Sequence, residues 1–436
     1  MNILIITPFY KHDRNIASVR WTNLGTRLAK KHNVIIVTQP HDDMDLTTSV
    51  EKDEDNVLVA RINQKTGYEK IAVKHFGAAT GDDWQTAAGN GDAEQFNDNL
   101  KRKLKNRLLF ASMKKKAKQY AKEIEKNVIP KDMKIDVVIS SACPFIEMLF
   151  GYELKKRLGC KWISDFRDLP FVEDNSDVTH IQKRIMQDAF LQVDTVTVVV
   201  PCMKYSLMNW FGIEDRKIHV LTNGFSLKER RIAKPNDDTL LHIVHTGSLY
   251  GGRRRADLLY EAINNLKTSG YTDLVFEIAG GNNTSLLESA KKYDCIDIVK
   301  DYGFLSREEA LELQLKADCL VAIVERYSLP AKIFEYILNQ RPIICLVVGN
   351  ENIDSQAKPI IEKLKVGKVY EEIKWEDDVK RLTEYLRDQI ERKKQGEKLE
   401  YQPDINEVSK FDHDSLAIQL EAIMQSISNT QEKELK

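Results

Sequence analysis

Short, unbroken apolar runs recur along this chain, and most are followed by a turn and a stretch with helical spacing. Residues 2–6, 34–38, 135–140, 195–200, 241–245, 274–279, 319–324 and 342–347 are such runs. A run that is apolar on both faces fits a strand buried in a parallel sheet, whose neighbours are joined through helices. The spacing predicts those helices over 18–31, 145–158, 180–193, 203–211, 255–268, 307–316 and 331–339, with Val19, Leu24 and Leu28 marking the apolar face of the first. The expectation is therefore an α/β chain of doubly wound parallel sheets.

The rhythm breaks twice. Residues 44–99 carry clusters of Gly, Asn, Asp and Thr and read as a long surface insertion, after which helical periodicity returns over 100–126. From Asn223 to Asp238 the chain holds Asn-Gly, charges and a proline, which is linker chemistry. A length of 436 residues allows two or three domains, each large enough to bury a core. The expected organisation is a first domain over 1–222, a second over 223–405, and a C-terminal helix over 406–436. Ligands of such sheets bind beyond the carboxyl ends of the strands, here in a cleft between the two.

Net charge is −1, so attraction to nucleic acid or membrane must come from local patches. The six cysteines form no CxxC pattern and read as buried thiols of a reducing compartment. The opening MNILIITPFY is too short an apolar run for a signal peptide, and no run of 18 apolar residues occurs. The expected location is cytoplasmic, in peripheral contact with the inner face of a membrane.

Two segments carry charge in places where a ligand could use it. HTGSLYGGRRR (245–255) follows a predicted strand and precedes a predicted helix. Gly247, Gly251 and Gly252 permit close approach of backbone to a ligand, and Arg253 and Arg254 suit a diphosphate. The segment lacks the GxxxxGK(S/T) and GxGxxG spacings, and a solvated basic turn reads equally well. ERYSLPAKIFEY (325–336) follows the run at 319–324. Pro330 suits a helix start, and Ser328, Leu329 and the nearby N–H groups make an anion site. Lys332 adds a point charge, and Glu335, one turn on, can accept both hydroxyl hydrogens of a ribose diol. The alternative is a surface ion pair between Lys332 and Glu335, worth about 0.2–0.5 kcal/mol.

In this order and spacing the two segments resemble the donor half of the GT-B glycosyltransferases, most closely the retaining group classed as family 4. Pro330, Lys332, Glu335 and Tyr336 are similar to the pattern of bacterial members that act in cell-surface polysaccharide synthesis. The resemblance implies a GT-B architecture of two facing Rossmann-like, doubly wound parallel-sheet domains. It also implies transfer of a sugar, with retention, from a nucleoside diphosphate sugar, UDP above all, to an acceptor hydroxyl of a lipid-linked or polysaccharide intermediate. Arg253 or Arg254 with Lys332 would hold the diphosphate, Glu335 the ribose, and Gly247, Ser248, Ser328 and Leu329 would complete the donor site. VLTNGF (220–225) resembles the family's inter-domain strand, and Asp165-Phe166-Arg167-Asp168 a segment of its N-terminal domains. Arg20 falls where the family's first loop meets a helix. Two departures stand out: Tyr327 occupies the position of the first of two paired glutamates, with Glu325 beside it, and Ser248 replaces a basic residue after the first glycine.

The catalytic candidates are thus Arg253, Lys332 and Glu325, and the acceptor candidates Arg20, Asp165, Arg167 and Asp168. Asp165 and Asp168 bracket Arg167 and would orient acceptor hydroxyls or form an ion pair at a strand end. The stretch from Lys101 to Tyr120 holds nine basic residues and no acidic one, interleaved with Leu104, Leu108, Leu109, Phe110 and Met113. As a helix it fits an anionic membrane surface, or else the solvated face of a core helix. No metal or cofactor is expected, although Asp43-Met-Asp45 and Asp53-Glu-Asp55 have a DxD form, and His12 and His180 read as surface residues. Nucleic acid is not an expected partner. The alternatives are a UDP-N-acetylglucosamine 2-epimerase-like enzyme, and a non-catalytic scaffold or partner subunit that keeps the fold.

Overall fold

The computed structural model describes residues 1–11, 18–39, 49–62, 98–141, 145–168, 177–234, 236–249, 252–349, 352–397, 399 and 401–434, with the backbone alone for 98–109, 145, 177–182 and 430–434. The chain divides into two compact units, Met1–Thr222 with His413–Lys436, and Asn223–Asp412.

The first unit is built on an eight-stranded sheet. Its strands are β1 (Asn2–Ile6), β2 (Asn33–Thr38), β3 (Ser49–Lys52), β4 (Leu58–Arg61), β5 (Val137–Ser141), β6 (Lys161–Phe166), β7 (Thr195–Val198) and β8 (Ile218–Val220). Their order is β3-β4-β2-β1-β5-β6-β7-β8, and every pairing is parallel except β3 with β4. Helices α1 (Ser18–Leu28), α2 (Asp98–Asn127), α3 (Phe145–Leu158), α4 (Asp177–Phe190) and α5 (Pro201–Phe211) make the connections. α5 begins on a proline, whose missing N–H costs nothing there, and ends on Gly212 in the left-handed region at φ 65°.

Two expectations change here. The insertion at 44–99 is part of the sheet over its first third. β4 pairs with β2 from Ile35 against Leu58 to Thr38 against Arg61, and buries Val57, Val59, Ala60 and Ile62. A strand of four residues inside a charged stretch shows too little periodicity to stand out, and it is the free edge of β2 that fixes it. Residues 63–97 lie outside the described residues. The second change concerns the basic helix. Phe110, Met113, Ala117, Tyr120 and Ile124 recur every three or four residues along α2 and are buried, with the Tyr120 ring 4.1 Å from that of Phe150 on α3. This stripe serves the core of the unit and not a lipid surface. The side chains of Leu104, Leu108 and Leu109 lie outside the described residues.

The second unit carries β9 (Leu241–Thr246), α6 (Asp257–Thr268), β10 (Leu274–Ala279), α7 (Thr284–Lys292), β11 (Val299–Asp301), α8 (Arg307–Lys316), β12 (Cys319–Glu325), α9 (Ala331–Leu338), β13 (Ile343–Val348), α10 (Lys358–Leu364), β14 (Gly367–Glu371), α11 (Trp375–Lys394) and α12 (Ile405–Ser409). The sheet runs β11-β10-β9-β12-β13-β14, all parallel. In this doubly wound order the direction of winding reverses between β9 and β12, and their carboxyl ends border a crevice. The register, Leu320 against Val244, leaves Ile323, Val324 and Glu325 running past the end of β9. Ile243, Phe276, Val321, Ile344, Leu382 and Leu386 lie in the core and hold this end of the sheet rigid.

The expected boundary at 405 moves to Asp412. The Asp404 N–H donates to the Leu364 carbonyl at 2.9 Å, and Lys363 pairs with Glu407 at 3.0 Å, so α12 stays on α10. The last helix, α13 (His413–Glu434), belongs to the first unit. Its Leu416, Leu420 and Met424 join Trp21, Leu24 and Leu28 in the core, and Arg27 of α1 and Lys31 just beyond it pair with Asp414 and Glu421. No described helix is long and apolar enough to cross a membrane.

Candidate active site

β9 ends at Thr246, and the chain turns at Gly247 with φ 140°, a conformation that side chains rarely adopt. The Gly247 N–H donates to the Ala279 carbonyl at 2.9 Å, and a Cβ built on Gly280 would stand 2.4 Å from the Gly247 carbonyl oxygen. The exits of β9 and β10 therefore touch backbone to backbone. Beyond Leu249, residues 250 and 251 lie outside the described residues, and the basic turn resumes at Gly252. Two carboxylates anchor that turn, one at the end of β12 and one just past β14. Arg254 donates from Nε and Nη2 to Glu325 Oε2, both at 2.9 Å. Arg255 forks onto Glu372 at 2.7 and 2.6 Å. The turn is thus a fixed part of the crevice and not a loose basic loop.

On the opposite wall, Glu325 closes β12. Ser328 turns back on it, N–H to the Glu325 carbonyl at 3.0 Å and Oγ to Oε2 at 3.2 Å. Leu329 is buried, and Pro330 is the residue just before α9, one place earlier than a proline in the first helical turn. Proline carries no side-chain acceptor, and no side chain caps the first turn of α9, so its N–H groups remain directed at the crevice.

Lys332 and Glu335 do not close the ion pair that their spacing allows. Lys332 runs over Gly247, with Cε 3.5 Å from where a Cβ would stand, and donates to Thr246 Oγ1 at 3.1 Å. Burial, reinforced by the charges of Arg307 and Arg254, lowers its pKa, against the pull of Glu335. Glu335 Oε1 accepts from Gln314 Nε2 at 2.9 Å, and no second hydrogen bond reaches this carboxylate among the described residues. The crevice therefore brings together Gly247, Arg254, Glu325, Ser328, Lys332 and Glu335. Ser248, Leu329 and Arg253 belong to the same two connections.

Sequence reasoning did not single out Thr246 or Gln314, and named Tyr336 only as part of a pattern. Thr246, Gln314 and Tyr336 join the strand end to α8 and α9 through buried hydrogen bonds. His245 is buried, and its Nδ1 lies 2.9 Å from the Val321 carbonyl, which can only accept, so Nδ1 carries the proton. Burial, with the Lys332 and Arg254 charges, pushes this imidazole down to about 4, so it is neutral near pH 7. A polar residue in an apolar run was the available signal for both His245 and Thr246.

The acceptor candidates separate. Arg20 on α1 and Asp165 on β6 meet as a buried fork, Nε to Oδ2 at 3.1 Å and Nη2 to Oδ1 at 2.8 Å. Thr197 donates to Asp165 Oδ1 at 2.6 Å, and Arg20 also donates to the carbonyls of Thr222 and Leu221 at 2.7 and 3.0 Å. The expectation that Asp165 pairs with Arg167 or meets an acceptor hydroxyl is thereby corrected. Asp165 is completely buried and orders α1 and the end of the unit's chain through Arg20. Arg167 and Asp168 follow β6, the first half-buried and the second exposed.

Of the DxD-like segments, Asp53 and Asp55 both pair with Lys11, and Tyr10 donates to Asp53 at 3.0 Å. Asp43, Asp45 and His12 lie outside the described residues, as does the His180 side chain. No group of metal-binding side chains occurs among the described residues. Cys160, Cys202, Cys295, Cys319 and Cys345 form no disulfide among the described residues, and all but Cys202 are buried.

Residues 228–400 match the family described as Glycosyl transferases group 1. That span runs from before β9 to the end of α11 and contains both charged connections. No curated protein matches the chain. Among solved structures, the chain is similar to a lipopolysaccharide outer core galactosyltransferase, WaaB, at 14% identity and TM-score 0.59, over 98% of this chain and 99% of that one. It is similar to a sucrose-phosphate synthase from Thermosynechococcus elongatus at 12% identity and TM-score 0.60, over 98% and 99%. It is also similar to an α,α-trehalose-phosphate synthase (UDP-forming) from Burkholderia xenovorans, solved with glucose-6-phosphate, at 11% identity and TM-score 0.63, over 97% and 100%. Identities this low speak for the fold, which is GT-B. The stretch that matches the group 1 glycosyl transferases falls within the second unit.

Proposed function

We propose that this chain transfers a hexosyl or N-acetylhexosaminyl group from a nucleoside diphosphate sugar to an acceptor hydroxyl, with UDP as the leaving nucleotide and with retention of configuration. The observation that carries the proposal is the placement of Lys332 and Glu335 on one helical turn, at the point where the second sheet reverses its winding. The two side chains offer different chemistries a few ångströms apart. A cation beside an uncapped helix N-terminus suits a diphosphate, and a carboxylate with one oxygen already fixed suits a ribose diol. UDP is favoured because the trehalose-phosphate synthase among the similar structures is itself titled UDP-forming.

In this reading the second unit binds the donor and the first the acceptor. Charge builds on the diphosphate as the bond from the sugar's anomeric carbon to phosphate oxygen breaks. Lys332, the N–H groups of α9, Arg253 and Arg254 stabilise that charge, which is the main catalytic demand. Arg254 would exchange Glu325 for a phosphate oxygen, and Glu325 would then turn to a sugar hydroxyl. The acceptor hydroxyl attacks from the face that the diphosphate leaves. Its proton passes to the departing phosphate oxygen, so no protein base is required. Arg167 and Asp168 are the remaining acceptor-side candidates.

A lipid-linked or polysaccharide acceptor agrees with the lipopolysaccharide galactosyltransferase among the similar structures. Peripheral contact with an anionic membrane, on the cytoplasmic side, would rest on residues 101–109 and on the exposed Lys114, Lys115 and Lys118 of α2.

The test is thermal unfolding with UDP, GDP, ADP and their common sugars, on the wild type and Glu335→Ala. Ligand at about 100 times its dissociation constant stabilises by about 2.7 kcal/mol. A shift with one nucleotide family that is lost in Glu335→Ala supports the donor site. No shift with any nucleotide sinks it and favours a scaffold.

A further inference from the structure

We propose that Gln314 is a positioning residue for the donor site. Its single amide sets Lys332 and Glu335 together, at the end of a one-way hydrogen-bond chain that starts at Arg231. The inference rests on the donor-site reading above and deepens it.

The chain has one consistent direction. Arg231 Nη1 donates to Asn339 Oδ1 at 3.0 Å, and a guanidinium can only donate, so the Asn339 amide is oriented by it. Asn339 Nδ2 then donates to Gln314 Oε1 at 2.6 Å, which orients the second amide. Both N–H bonds of Gln314 are thereby turned to the far side. One goes to Glu335 Oε1 at 2.9 Å and the other to Thr246 Oγ1 at 2.8 Å. Flipping either amide would set N–H against N–H on one side and oxygen against oxygen on the other, the Glu335 carboxylate being that second oxygen for Gln314. The cation at the start and the carboxylate at the finish leave one assignment for everything between.

Thr246 extends the effect to Lys332. Its Oγ1 accepts from Gln314 and from Lys332 Nζ at 3.1 Å, and the Tyr336 hydroxyl at 3.3 Å is within reach of its own hydrogen. Tyr336 OH in turn accepts from the Thr246 N–H at 3.2 Å. The group for a diphosphate and the group for a ribose therefore share one amide as their common support. Gln314, Asn339, Thr246 and Tyr336 are at most 2% exposed. In such surroundings hydrogen bonds are strong, and each polar atom needs its partner.

The fold places Gln314 deliberately. Ser306 and Glu309 close a capping box on α8, with Ser306 Oγ accepting from the Glu309 N–H at 3.2 Å and the Glu309 carboxylate from the Ser306 N–H at 2.8 Å. Two turns later Leu313 and Gln314 are the buried residues of the helix. A leucine at 314 would satisfy the apolar packing. A glutamine there answers a polar requirement, and the groups that it touches are those that a nucleotide would meet.

The test separates positioning from mere stability. Titrate UDP and 2′-deoxy-UDP into the wild type, Glu335→Ala and Gln314→Met, a change that keeps side-chain length. A hydrogen bond from a ribose hydroxyl to a fixed carboxylate gives the wild type about a tenfold or greater preference for UDP. Glu335→Ala removes that preference. Gln314→Met is expected to bring it to within about twofold while retaining Glu335, whereas a purely structural role lowers the melting temperature and leaves the ratio intact. Wild type that binds no nucleotide overturns the donor-site reading and this inference with it. A preference lost in Glu335→Ala but kept in Gln314→Met overturns the inference alone. If Gln314→Met does not fold, the half-buried Arg231→Ala carries the test, and an unchanged ratio there overturns the chain.

Discussion

A methyl group at position 280 should disturb the candidate site from behind. Gly280 follows β10 and donates its N–H to the Gly303 carbonyl at 2.9 Å, which holds it in place. An added Cβ would lie 2.4 Å from the Gly247 carbonyl oxygen and 2.8 Å from Asn283 Oδ1, against ordinary contact from 3.4 Å. The Asn283 side chain can yield, but the Gly247 carbonyl belongs to the backbone that ends β9. It must retreat by about 1 Å, and overpacking of this kind costs about 1–3 kcal/mol. In a unit of this size that lowers the melting temperature by about 2–12 °C. The displaced residue is the one over which Lys332 lies, with Cε 3.5 Å from its Cβ position, so the diphosphate site moves with it. Turnover should fall by up to about 100-fold. Gly281→Ala is the control, because a Cβ there meets nothing within 4 Å. Calorimetry and UDP titration on both variants decide the matter. If Gly280→Ala melts and binds like Gly281→Ala, the argument that these two strand exits are locked together is wrong.

Asp165→Asn leaves Arg20 buried with half its fork unpaired, and should destabilise the first unit by about 3–5 kcal/mol in denaturant unfolding, while UDP affinity stays unchanged. A loss below about 1 kcal/mol would refute the structural role given to this pair. Nucleotide affinity should also depend on the charge of Lys332. Burial lowers its pKa, so the ammonium loses its proton at a lower pH than the usual lysine value of about 10.4. A bound diphosphate favours the charged form, hence binding takes up a proton and affinity falls as pH rises through the lowered pKa. Calorimetry across the alkaline range should show this decline in the wild type and not in Lys332→Arg, whose guanidinium stays charged.

The fold was legible where a run was apolar on both faces. β1 and β10 lie at the bounds that their apolar runs predict, because burial on two sides leaves few polar residues to blur the pattern, and α3 lies at the bounds of its helical spacing. It was illegible where an element is short and leans on its neighbours. β14 opens on Gly367, where a Cβ would stand 2.0 Å from the Ile343 carbonyl oxygen. Nothing in the spelling GKVYE announces that contact, and only the adjacent strand explains the glycine. α7 and α10 passed unread for a related reason. Each has fewer than ten residues, too few for two full repeats of an apolar face beyond chance.

The site divides along the same line. Charged residues next to strand ends were visible, since a cation or a carboxylate beside an apolar run calls for an explanation. Their partners were not, because pairing is a tertiary fact. Arg254 and Glu325 stand 71 positions apart and meet at 2.9 Å, and Arg20 reaches Asp165 across 145 positions. Each such pair changes what its members can do. A buried guanidinium matched by a carboxylate and two backbone carbonyls, like Arg20, acts as structure. Both pairings exist only once a sheet has formed: Asp165 at the end of β6 meets Arg20 from α1, and Glu325 at the end of β12 meets Arg254 once β9 and β12 lie side by side.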